Sequence, residues 1–234
     1  HVAQSKKEVD FINKESGLGP ATFLAELGVL GPEWVLAHLT FADNIDIRSV
    51  ADCGSSNAHA ATIYARRGSQ TPLGEIQALG INCGLASDWM INDPWEGMRV
   101  VSANLRLLEQ SHKGMESIKA LEFATSKAAK VIGFGDKIGQ LVKGYEADFI
   151  LVNLNHPHLQ PFYGTPASLV WYARPEDVSD SFVRGRALMR DRKIINLDYH
   201  QAIQKVKQRT PHFADQMRSL GGVSNGPKCP CGYH

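Results

Sequence analysis

A chain of 234 residues, 43% of them hydrophobic, is long enough to bury the core of one large or two small domains. Its 25 Lys+Arg against 24 Asp+Glu leave a formal net charge of +1, which gives no electrostatic pull toward nucleic acid or an anionic membrane. No run approaches the ~18 apolar residues of a membrane span, no basic-then-apolar leader is present, and four Cys in this length make no disulfide framework, so the composition points to a soluble cytoplasmic protein.

The chain opens at His1 without a Met, and Ser5-Lys6-Lys7-Glu8 already begins a helical pattern, so it reads as a stretch from inside a longer protein. Residues 5–16 carry Val9, Phe11 and Ile12 among charges and stop at Gly17, an amphipathic helix with a Gly terminator. Pro20 starts a second helix that ends at Gly28. Trp34 to His38 is a short apolar run, read as a buried strand, and 44–48 as a polar connector or helix. A second strand is expected at Val50–Cys53, a helix over 58–66, a helix over 72–79 stopped by Gly80, and a third strand at 81–86 running into Ser87-Asp88. Short apolar strands alternating with helices argue for a parallel sheet, because parallel neighbours need a crossover. In barrels of this kind the C-terminal strand ends carry the chemistry.

Long amphipathic helices are expected at 94–110, with Met98, Val101, Leu105 and Leu108 on one side, and at 117–132, with Leu121, Ala124, Ala128 and Val131 inward. After Gly133 the texture changes to strands. Residues 147–152 form one, and 178–183 with 187–190 form a hairpin around Arg184-Gly185-Arg186. The expected organisation is α/β: barrel over 1–133, a small β-rich unit over 134–200, a terminal helix over 201–220, and a Gly-rich tail over 221–234.

His1, His38 and Asp88 each fall at an expected strand end, which would gather them around one mouth. Imidazole and carboxylate suit zinc or iron. Such an ion brings the pKa of bound water toward ~7, and a nearby carboxylate can pass the proton to a leaving amine. On residue type alone there is a plainer reading: a strand-end His hydrogen-bonded in the core, and an Asp capping the next helix. His156-Pro157-His158 has ligand spacing but reads as a surface turn. Cys229, Cys231 and His234 are too cramped for a standard zinc finger and read as a disordered tail.

The surrounding motifs favour the chemical reading. His1-Val2-Ala3-Gln4 resembles the His-x-x-Glu segment after strand five of the amidohydrolase superfamily. Leu36-Ala37-His38 resembles its strand-six histidine. Ser55-Ser56-Asn57 resembles the Ser-Ser-Asn after strand seven in the triazine hydrolase and aminohydrolase branch, and Gly84 to Asp88 the Gly-x-Gly-Thr-Asp of strand eight. Segments from Ala124 to Phe149 and from Val178 to Arg186 continue the likeness, which covers roughly residues 1–200.

The resemblance implies the C-terminal part of a (β/α)8 TIM-type barrel with part of a small β-sandwich. It implies one Zn2+ or Fe2+, with His1 and Asp88 as ligands, Asp88 as proton shuttle, and His38 binding the hydrolytic water or substrate or serving as a further ligand. The remaining ligands, a His-x-His on strand one, would lie upstream.

Two residues depart from the pattern. Gln4 stands where deaminating relatives carry Glu, and an amide cannot exchange protons, although it can orient a substrate. Asp52-Cys53-Gly54 replaces a frequent His-Cys-Pro; Asp52 is either a pocket residue that recognises N–H groups or a cap or turn residue. Asn57 is implied as a substrate contact. With Gln4, the run Ser87-Asp88-Trp89-Met90 looks most like the hydroxyatrazine ethylaminohydrolases, in which Trp89 and Met90 would wall a pocket for an N-alkyl group. Trp95 reads either as a further wall or as packing for its helix.

The expected substrate is therefore a small N-heterocycle, with a guanine- or cytosine-type deaminase as the alternative. The protein would be a homodimer or larger homo-oligomer. The rival outside the enzyme class is a non-catalytic piece that needs its missing N-terminal half.

Overall fold

The structure is a computed structural model that describes residues 1–88 and 92–219. Helix α1 (Lys6–Ser16) begins at Ser5, whose hydroxyl accepts the Glu8 N–H, and closes at Gly17, in the left-handed region at φ 74°. That conformation costs glycine little and other residues more. Helix α2 (Pro20–Glu26) starts at a proline, as its missing N–H allows. Strand β1 (Val35–Ala37) follows and leads to α3 (Asn44–Asp52), capped by Asp43, which accepts the N–H groups of Ile45 and Asp46. Strand β2 (Ser56–His59) is followed by α4 (Ala61–Arg66) and α5 (Leu73–Ala78), and then by β3 (Cys83–Leu85).

β1, β2 and β3 form a parallel sheet in that order. Val2 bridges His38 in parallel, so the first four residues lie beside β1 as a further arm. The helices supply the crossovers, and the alternation read from the sequence is the observed architecture.

The strand expected at Val50–Cys53 is instead the end of α3 and the turn after it. The Asp43 cap starts that helix, and Ile47 and Val50, three residues apart, both enter the core. The true second strand is the polar run Ser56-Asn57-Ala58-His59, so the Ser-Ser-Asn motif lies mostly within a strand and the next helix starts only at Ala61.

Helix α6 (Pro94–Leu108), capped by Asp93, buries Trp95, Met98, Val101 and Leu105. Leu108 is exposed, so the apolar stripe stops one turn early. The expected helix over 117–132 is two: α7 (Ser117–Ala124) and α8 (Ser126–Val131), broken at Thr125, whose φ is −126° and ψ −94°. The Thr125 hydroxyl donates back to the Leu121 carbonyl at 2.6 Å, a local bond that competes with the helix.

A second, antiparallel sheet follows. Its strands are β4 (Phe149–Val152), β5 (Val178–Val183), β6 (Arg186–Arg190) and the short β7 (Lys193–Ile194), in chain order. Between β4 and β5 lie two 3-10 turns, Pro157–Leu159 and Pro175–Asp177, and α9 (Pro166–Tyr172); of these the sequence announces only the first, as a surface turn. Phe149 stacks on Phe182 across β4 and β5 at 4.5 Å. Among the described residues this sheet is a single layer. The chain then runs into α10 (Tyr199–Ser219). The Gly-rich tail with Cys229, Cys231 and His234 lies outside the described residues.

Candidate active site

The parallel sheet gathers three of the predicted residues at its C-terminal edge. His38 directly follows β1, and its backbone is held from both sides. The His38 N–H donates to the Ala58 carbonyl at 3.1 Å, and the next N–H, of Leu39, donates to the Val2 carbonyl at 3.0 Å. His38 and Leu39 take φ values of 82° and 54°, a region in which side-chain-bearing residues are strained. Ala3 and Asp88 share it, at 50° and 56°. Three of the segments that end at this edge thus turn sharply where they leave the sheet.

The His1 and His38 rings meet edge to face, centroids 4.7 Å apart. His38 is buried, and its Nδ1 has no hydrogen-bond partner. Burial holds its imidazole below the ordinary histidine range, and the Asp88 carboxylate, near enough to pull the other way, offsets this only in part. A buried imidazole nitrogen with nothing to bond is costly in an otherwise satisfied interior. It is the feature that a metal ion or a substrate polar group would relieve. Asp88 is exposed and lines a cavity of about 380 Å3 with Thr62, Ser87, Asn92 and Asp93. His1, His38 and Asp88 thus bring nitrogen and carboxylate groups to one edge of the sheet, with one orphaned nitrogen and one accessible carboxylate.

Gln4 belongs to the same edge. The Glu8 carboxylate accepts the N–H groups of Ala3 and Gln4, both at 2.9 Å, and so fixes the arm that carries His1. The Gln4 carbonyl accepts a hydrogen bond from the Tyr64 hydroxyl at 3.0 Å. Tyr64, on α4, is buried and packs against His38 with ring centroids 5.2 Å apart. The sequence reading missed Tyr64. Its signal was a bulky residue one turn into the helix after the Ser-Ser-Asn strand.

His59, at the end of β2, was missed as well. It is wholly buried, lies 6.1 Å from the Phe123 ring, and has its Nδ1 unpartnered.

Asn57, Asp52 and Trp95 are not brought to this mouth. Asn57 is fully buried inside the sheet; its amide donates to the Leu36 carbonyl at 3.0 Å and its oxygen accepts from the Cys83 thiol at 3.1 Å. Its polar atoms tie three strands together. Asp52 is exposed at the last position of α3, on the side where chains enter the strands, whereas His38 and Asp88 lie where chains leave. Trp89 and Met90 lie outside the described residues. Trp95 is buried on α6 as part of the core.

A sequence profile of the amidohydrolase family matches residues 1–188. The chain is 29% identical over 219 residues to a 5-methylthioadenosine/S-adenosylhomocysteine deaminase of Desulfitobacterium hafniense, covering 92% of this chain and 50% of that protein. It is equally 29% identical over 210 residues to the deaminase of the same name from Pyrococcus furiosus, covering 88% and 50%. Among solved structures, an adenosine deaminase from Xanthomonas campestris with bound zinc superposes with a TM-score of 0.84 at 21% identity, over 94% of this chain and 50% of that one. The zinc complex of atrazine chlorohydrolase TrzN from Arthrobacter aurescens superposes with a TM-score of 0.78 at 21% identity, over 87% and 46%. At these identities the structural likeness establishes the fold. The chain spans about half the length of the curated relatives it matches.

Proposed function

The chain belongs to the amidohydrolase family, and on that premise we propose that the protein hydrolyses an exocyclic C–N bond of an electron-poor N-heterocycle, releasing ammonia or an alkylamine. The observation that carries this reading is the meeting of His1 and His38 at 4.7 Å beside an unpartnered His38 Nδ1, with Asp88 near enough to act on that ring.

His1 and Asp88 would hold a single Zn2+ or Fe2+, with His38 as a further ligand or as the group that orients water. When bound, the ion activates water and polarises the ring. The chain's own residues do the rest. Asp88 accepts a proton from the attacking water and returns it to the departing nitrogen, so that a C–O bond forms, the C–N bond breaks and the amine leaves neutral. Burial disfavours the charged form of the His38 imidazole, which leaves it suited to present a lone pair. Gln4 donates or accepts a hydrogen bond at the heterocycle without moving a proton. Trp89 and Met90, next in sequence to Asp88, would wall the substituent. Asn57 and Asp52 are left to the sheet and to the helix end.

The finer reading is an N-alkyl triazine losing its alkylamine, as in the hydroxyatrazine ethylaminohydrolases, and rests on Gln4 in place of Glu. A second reading, an aminopurine nucleoside losing ammonia, is favoured by the names of the relatives.

Both can be tested on the metal-loaded protein by following ammonia and ethylamine release from hydroxyatrazine and from 5-methylthioadenosine. Asp88→Asn is expected to lower kcat by roughly 10²–10⁴-fold, the usual range for losing a general acid–base group. Ammonia from the purine with no ethylamine from the triazine would select the second reading. An Asp88→Asn variant as active as the parent would overturn both.

A further inference from the structure

The sequence marked His156-Pro157-His158 as a turn with ligand spacing, and the fold gives it a partner that no local pattern announces. Pro157 opens the 3-10 turn Pro157–Leu159, whose Leu159 is buried and pins the turn to the core. The second 3-10 turn, Pro175–Asp177, ends by placing Asp177 under it. The Asp177 side chain is only 1% exposed. One carboxylate oxygen meets His156 Nδ1, and the other accepts His158 Nε2 at 2.9 Å and the Arg174 N–H at 2.8 Å.

Burial alone would push the Asp177 carboxyl up, but the bonds from His158, His156 and Arg174 outweigh it and hold the pKa below its ordinary value. The buried group is thus a carboxylate. Among the described residues its ion-pair partners are these two imidazoles and no Lys or Arg. Arg192 comes close but donates to the carbonyls of Pro175 and Val178.

We propose that His156, His158 and Asp177 form a divalent transition-metal site, separate from the candidate active site, that clasps the turn after β4 to the turn before β5. One donor atom from each residue lies within 4.8 Å of the other two. Donors around a tetrahedral zinc at ~2.0–2.1 Å from the ion sit ~3.3 Å apart, so a small outward swing of the rings makes room. The His156 and His158 side chains are 38% and 29% exposed and free to make that swing, while the Arg174 N–H anchors the carboxylate.

No net proton need be lost from a neutral ring. The proton on the nitrogen that faces Asp177 leaves, another is taken up at the ring's outer nitrogen, and the freed lone pair faces the ion. Two imidazoles with one carboxylate select Zn2+ or Ni2+ over Mg2+ or Ca2+, and the solvent side leaves a position for water.

The proposal is independent of the active-site reading and is tested without an activity assay. The intact protein and its His156→Asn variant are dialysed against micromolar Zn2+, and zinc per chain is counted by plasma mass spectrometry. The parent is expected to retain one zinc more than the variant, and equal contents would overturn the site. Because a variant can disturb folding, the parent alone is also labelled with diethyl pyrocarbonate and mapped by peptide mass spectrometry. Zn2+ should cut labelling at His156 and His158 severalfold while Mg2+ leaves it unchanged. Equal labelling with and without Zn2+ refutes the proposal.

Discussion

At the scale of single residues, histidines carry most of the interest, and burial decides what each can do. His59 is the plainest case. It is wholly buried, and burial, helped by His38, pushes its pKa down from 6.5 to about 4. The unfolded chain therefore binds this proton more readily than the folded one. Stability from a neutral, buried His59 is fully present above the unfolded value of 6.5 and erodes as pH falls from there toward 4. At ~1.4 kcal/mol per pKa unit the loss amounts to about 3 kcal/mol. Urea unfolding at pH 7 and at pH 4.5 should thus give a smaller difference for His59→Leu than for the parent. An equal difference in the two proteins would show that His59 is not buried neutral. His38 and Asp88 stand out in the sequence because each follows an apolar strand. His59 does not, because its strand is polar, and Asp177 does not, because it joins the two histidines across some twenty residues of intervening chain.

At the scale of elements, the parallel sheet depends on close approaches that only glycine permits. A Cβ on Gly84 would lie 2.6 Å from the Ala128 Cα and 2.9 Å from its N, both backbone atoms of α8. No rotamer change can clear that contact, so Gly84→Ala must lift α8 off β3, and overpacking of this kind costs about 1–3 kcal/mol. Gly97 makes the control. A Cβ there meets the Leu85 side chain at 2.9 Å, a flexible tip that can turn away. Gly84→Ala should therefore lower the urea midpoint clearly more than Gly97→Ala; the reverse order would mean α8 is not seated on the sheet. The same pair of elements shows where sequence patterns stop informing. β1 and β3 are apolar runs and were read as strands. β2 spends its polar side chains on neighbouring strands, Asn57 above all, so hydrophobicity pointed instead to Val50, which is buried but helical. The break between α7 and α8 was equally hidden, since Thr125 is a poor helix former but not a stop signal.

At the scale of the whole molecule, the parallel sheet stops at β3. Among the described residues β3 pairs only with β2, which leaves its other edge free. Beside that edge lies a cavity of about 620 Å3 lined by Ala58, Gly84, Ala129, Leu141 and Phe149, with Leu141 78% exposed. An unpaired parallel edge next to an apolar hollow is the kind of surface that recruits another strand or aggregates. The relatives are about twice as long as the chain, so they contain enough further structure to fill such a hollow. Residues 1–234 produced alone are expected to enhance the fluorescence of an apolar dye such as ANS and to run larger than a monomer in gel filtration. Co-produced with the part of such a relative that this chain does not span, the chain should lose both properties. A dye-silent monomer from the 234 residues alone would show that the hollow is satisfied within the chain.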